Sequence, residues 1–128
     1  MDIPVEEQLD AYAAFRTREL FERYGIETKH QGLFTVDGRD TREFFTFTRD
    51  QLIDFLRAHP ERIEPYLQRS EQMRGIYDKE ILELQGAGYV LYWQDHGKRR
   101  DEHLYTDRFE AAADWLTTQY GMWLHDKV

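Results

Sequence analysis

A chain of 128 residues that is 41% hydrophobic and 15% aromatic is the size of one common domain, and it can bury roughly two-thirds of the surface its unfolded form exposes. Its formal net charge of −8 argues against a general nucleic-acid or anionic-membrane surface, because phosphate binding needs clustered Lys and Arg; it suits solubility or a cationic partner. The absence of cysteine excludes disulfides, thiolate nucleophiles and Cys-based zinc sites.

No apolar run approaches the length of about 20 residues that crosses a bilayer. The opening MDIPVEEQLD is acidic where a secretory signal is basic and then apolar, so a cytoplasmic protein is expected. From Val5 to Tyr24, apolar residues Val5, Leu9, Tyr12, Ala13, Leu20, Phe21 and Tyr24 recur at helical spacing, and Gly25 stands where a left-handed cap belongs. The spacing predicts one amphipathic helix. Next, GLFTV and EFFTF flank VDGRD, and an Asp-Gly pair between β-prone runs marks a hairpin turning at Asp37 and Gly38. Thr48 opens T-R-D-Q, a capping-box spacing, and the helix through Leu52, Ile53 and Leu56 should stop near His59 because Pro60 disfavours a helical residue before it.

The stretch from Glu61 to Gln85 fits one or two helices, interrupted at Pro65 and Gly75, with KEILEL as an alternative strand. QGAG reads as a break. A second hairpin follows, from Tyr89 to Tyr105, and then a helix that starts at Asp107 and carries Phe109, Ala112, Ala113, Leu116 and Tyr120 on its apolar face. The order is therefore helix, hairpin, one or more helices, hairpin, helix. A lone two-stranded ribbon is marginal in water, so the expected fold is a single α+β domain over residues 1–128: one antiparallel sheet built from two β-hairpins, with helices packed on one face.

In the second hairpin an aromatic strand, YVLYW, is answered by a charged one, KRRDEH. A two-residue turn at His96 and Gly97 would oppose Asp95 to Lys98, Trp93 to Arg100, Leu91 to Glu102 and Tyr89 to Leu104, with Tyr92 by Asp101 and Val90 by His103. A three-residue turn would shift every partner by one. In either register the charged strand belongs at a sheet margin, since a central position would bury its charges, and alternating charge there discourages edge-to-edge aggregation.

Catalytic and cofactor motifs are not found. The five histidines show no HxH, HExxH or helical His pair, so no metal is expected. QGAGY lacks the lysine of a phosphate loop, and Ser70, the only serine, has no elbow motif around it. Acidic neighbours such as Glu6 with Glu7, or Asp101 with Glu102, read as solvated charge rather than a general acid and base. A deep pocket enclosing His103 with a carboxylate would favour a further reading, a small enzyme with an unrecognised site.

The strand Tyr89–Trp93, the turn Asp95–Lys98, the charged return to Tyr105, the helix start at Asp107 and the E-A-x-x-x-W-L run (Glu110, Ala111, Trp115, Leu116) together resemble the end of small immunity proteins from bacterial polymorphic-toxin and contact-dependent inhibition systems. The resemblance spans about 30 residues of the C-terminal third. It implies a cytoplasmic, non-enzymatic, cofactor-free inhibitor that binds a cognate toxin domain and does not touch nucleic acid or membrane itself. On that reading Trp93 and Tyr92 are apolar anchors, Asp95, Asp101 and Glu102 pair with basic groups of the toxin, and Asp37 and Asp40 extend the acidic rim. The alternative is a phage or mobile-element accessory protein, an acidic inhibitor of a nucleic-acid enzyme, whose carboxylates would be spaced like phosphates.

Overall fold

The computed structural model describes residues 3–26, 35–36, 39–40, 45–76 and 78–120. These residues form five α-helices, a two-stranded ribbon and a three-stranded antiparallel sheet, in the order α1 (Val5–Ala13), α2 (Thr17–Arg23), β1 (Thr35–Val36), β2 (Arg39–Asp40), α3 (Arg49–Ala58), α4 (Ile63–Met73), β3 (Glu80–Gln85), β4 (Gly88–Asp95), β5 (Lys98–Tyr105) and α5 (Arg108–Gln119). The α+β class therefore holds. No helix among the described residues is long and apolar enough to cross a membrane.

The sheet differs from the expected one. Among the described residues β1 and β2 pair only with each other, Val36 opposite Arg39 and Thr35 opposite Asp40; Asp37 and Gly38 between them lie outside those residues. The second hairpin instead takes its third strand from KEILEL, which pairs with β4 from Glu80↔Trp93 to Gln85↔Gly88. The reason is chain economy: β3 and β4 are joined by the two-residue turn Gly86-Ala87, where Gly86 alone has positive φ (61°), as a type II′ turn requires. Gly88 is needed as glycine for another reason, since a Cβ there would stand 2.5 Å from the Tyr105 carbonyl oxygen.

The predicted first helix is two helices. α1 ends in a Schellman motif, with the Arg16 amide donating to the Ala11 carbonyl at 2.8 Å, and Phe15 is left-handed at φ 57°. α2 ends in the same motif, with Ile26 donating to Phe21 at 2.8 Å and Gly25 at φ 73°, as expected of that glycine. Ala13 and Leu20 stand two helical turns apart, so the apolar spacing runs straight across the break. A left-handed phenylalanine costs about 1–2 kcal/mol. Its ring offsets that by stacking on Tyr120 (centroids 5.6 Å apart) and meeting Tyr66 and Trp115 edge-on.

Local signals elsewhere produce the expected elements. Thr48 and Gln51 close a reciprocal capping box, and α3 stops before His59-Pro60. α4 runs through Pro65, which falls in its first turn where a missing N–H costs nothing. Asp107 caps α5 by accepting the Phe109 amide at 2.8 Å.

The core lies where α5 crosses one face of the sheet. Leu82 and Leu91 meet Trp115 and Leu116 there, and α1, α3 and the extended Phe45 and Phe47 pack beyond them. Trp115 is fully buried and donates its indole N–H to the Glu80 carbonyl at 3.1 Å. Arg49 grips Asp114 with two bonds of 2.8 and 3.0 Å while the Tyr105 hydroxyl donates to the same carboxylate at 2.7 Å, which ties α3, α5 and β5 together. The opposite face carries Ile81, Val90 and Tyr92, packed with Met73.

Helix α4 flanks the β3 margin, where the buried Ser70 hydroxyl accepts the Leu82 amide at 3.0 Å. Replacing Ser70 with Ala leaves that amide without an acceptor in a buried place, so Ser70→Ala should lower unfolding stability by about 1–3 kcal/mol, read from the urea midpoint at constant m-value.

Candidate functional site

The hairpin of β4 and β5 turns on two residues, His96 (φ 49°) and Gly97 (φ 81°), both left-handed as in a type I′ turn. This is the first of the two registers considered, with Asp95↔Lys98, Gln94↔Arg99 and Trp93↔Arg100. It holds only as far as Trp93. Asp101 and Glu102 together oppose Tyr92 in a β-bulge, with Asp101 left-handed at φ 54°. Beyond it the partners become Leu91↔His103, Val90↔Leu104 and Tyr89↔Tyr105, one residue displaced from those expected.

Successive strand residues face opposite ways, which divides the predicted site between the two faces of the sheet. Tyr92 lies on the face away from α5. It is 2% exposed, its hydroxyl donates to Glu83 at 2.9 Å, and the Arg99 guanidinium sits 4.4 Å from its ring centroid. A ring covered in this way is not offered to a partner, so Tyr92 is corrected from anchor to internal support. Trp93 points to the other face, half-buried, in a row with Glu80 and Arg100.

The acidic residues also separate. Asp95 is engaged within the hairpin, accepting Arg100 Nε at 2.7 Å and bonding His96 Nδ1 at 2.6 Å. The His96 bond first, and then Arg100, hold its carboxyl below the usual aspartate range, while Asp95 and Asp78 raise the imidazole. Asp101 is exposed on the bulge and forms no hydrogen bond or ion pair among the described residues. Glu102 is exposed, with Arg99 at 3.8 Å. Asp37 lies outside the described residues, and of Asp40 only the backbone falls within them.

Two features were not foreseen. The first is Glu83, which alternates with Ile81 onto the Tyr92 face once KEILEL is a strand, and which gathers Tyr92, Arg99 (3.1 Å) and Arg74 (3.0 Å). Burial pushes its carboxyl up, but the Tyr92 hydroxyl and the two guanidiniums outweigh burial and hold it below the ordinary value. The second is Glu80, raised by burial and by Asp101 against the lowering pull of His103. His103 itself is exposed on β5 rather than enclosed in a pocket.

Asp78, Asp95 and His96 bring their donor atoms within 4.8 Å of one another, the spacing a cation could use. Asp95 already carries Arg100, and Asp78 accepts the His96 amide at 2.9 Å, so the trio works as a latch on the hairpin tip.

Among the described residues β5 pairs only with β4, and every side chain from Lys98 to Leu104 is exposed, Leu104 by 72%. The predicted sheet margin is therefore present. Comparison with protein-family models, curated proteins and solved structures finds no match to the chain.

The Glu83 cluster makes stability pH-dependent. A carboxyl with a depressed folded pKa contributes stability above its unfolded value and loses it as pH falls through the folded one. Urea midpoints measured from pH 7 down to pH 3 should fall for the protein and fall less steeply for Glu83→Gln; equal slopes would show the cluster contributes nothing. At the bulge, Asp101→Gly removes left-handed strain and should raise stability by about 0.5–1 kcal/mol in the same assay.

Proposed function

We propose that this chain is an immunity protein, a cytoplasmic inhibitor that binds and neutralises a cognate bacterial toxin domain. The observation that carries the reading is the asymmetry of the sheet: the β3 margin is closed by α4, whereas β5 keeps its outer backbone edge and its exposed side chains Lys98–Leu104 for another molecule. Asp101 and Glu102 supply the acidic contacts, and the exposed Leu104 takes the apolar place first given to Tyr92. Trp93 and Asp95 stand behind them as support, because both are partly enclosed and Asp95 is paired.

Toxin domains that act on nucleic acid need a basic surface. The net charge of −8 attracts such a surface over distance, and the Asp101-Glu102 pair sets orientation at contact. Inhibition then needs no chemistry in the inhibitor, only occupation of the toxin's active site or assembly face.

The test is to mix the protein with the toxin domain encoded beside its gene and measure affinity by calorimetry at low and moderate salt. A complex that weakens with salt is expected, and the double substitution Asp101→Lys with Glu102→Lys should weaken it at least about tenfold, mainly through slower association. Absence of a complex, or an affinity that the double substitution leaves unchanged, overturns this assignment of the surface.

A further inference from the structure

Away from the hairpin, the end of α1 and the outer stripe of α4 enclose a cleft of about 370 Å³, within the range of roughly 300–1,000 Å³ typical of small-molecule sites. Three observations give it a chemistry. Its floor is Phe15, the left-handed residue that stands where α2 uses Gly25 for the same turn, so a ring is kept at a position that glycine would fill without strain. That ring is fixed by Tyr120, 5.6 Å away and nearly parallel, and by Tyr66 and Trp115 edge-on, so it is a rigid surface rather than a mobile flap.

Arg69 lies over the floor, with its guanidinium 4.7 Å from the Phe15 centroid and no carboxylate partner among the described residues. The other arginine of the lining, Arg62, is paired with Asp10. Finally, the exposed amides of Gln68 and Gln72 stand on the rim, one helical turn apart on α4. Apolar floor, one unspent positive charge and two neutral amides form an arrangement complementary to an apolar body with one anionic head.

We propose that this cleft binds a small aromatic carboxylate, with its ring on the apolar lining of Ala14 and Pro65 beside Phe15 and its carboxylate on the Arg69 guanidinium. The site is separate from the β5 margin and does not depend on the reading of that surface. Arg69 gives a carboxylate a planar pair of donors, and its stacking on Phe15 holds the fork in place before the ligand arrives. Gln68 and Gln72 accept or donate to whatever polar group the ligand carries beyond its carboxylate.

The experiment uses 3-phenylpropionate and its neutral counterpart 3-phenylpropionamide as probes, titrated into the isotope-labelled full chain and followed by amide shifts. The carboxylate should give saturable shifts centred on Phe15, Arg69 and Gln72, and the amide should bind about tenfold more weakly. Arg69→Gln, an exposed change that leaves the aromatic cluster intact, should weaken the carboxylate about tenfold and erase the difference between the probes. Equal binding of the two probes, shifts centred elsewhere, or no saturation at millimolar concentration would overturn the proposal.

Discussion

The Ser70 hydroxyl ties α4 to the margin of the sheet that is closed. A three-stranded sheet has two edges, and each presents a row of unpaired backbone groups that invites another strand. On the buried face of α4, Ser70 accepts the Leu82 amide, and a few residues on, the Gln94 side chain accepts the Gly75 amide and donates to the Met73 carbonyl. These contacts fasten the middle of α4 to β3 at Leu82 and its C-terminal end to β4 at Gln94. β5 is then the margin that the described residues leave uncovered.

The charges of β5 are sorted by the bulge. In sequence, Lys98 to Glu102 holds three basic and two acidic residues, yet Arg99 turns back over Tyr92 to Glu83 and Arg100 turns back to Asp95. Two of the three basic charges are thus held within the sheet, while Lys98 stays exposed. Asp101, pushed outward at the bulge, and Glu102 next to it remain for solvent or a partner. An aromatic strand needs this neighbour because a guanidinium can cover a tyrosine ring with its plane and still satisfy its donors on a carboxylate.

Features set by a few adjacent residues could be read from the sequence. The Thr48 capping box, the left-handed Gly25, the His96-Gly97 turn and the Asp107 cap each depend on backbone geometry within four residues, and each is where the residue types place it. The features that the residues left open or did not reveal depend on contacts outside their own segment. KEILEL has Ile81 and Leu82 adjacent, a pattern that suits a helix or a strand buried on both sides, and only its pairing with β4 decides between them. The bulge leaves no mark on the charge pattern of β5. The break at Phe15 is hidden because the apolar spacing of α1 continues in phase into α2, while the ring that Phe15 stacks on, Tyr120, is more than 100 residues away. The same limit applies to the site. That β5 is a margin was legible from its composition, whereas the covering of Tyr92 required knowing that Glu83 and Arg74 come from other elements.

Pre-arrangement follows from this sorting. A partner that docks on β5 meets a backbone held by β4 and braced to α5 and α3 through Tyr105, Asp114 and Arg49. The long side chains most expensive to immobilise, Arg99 and Arg100, are already fixed on their own carboxylates, so association does not bear their ordering cost. The short Asp101 side chain loses less entropy on contact than an arginine would. The proposed interface would keep the long-range attraction of the acidic protein while limiting what must be ordered at the surface itself, which would favour fast association with a basic partner over adaptation to many.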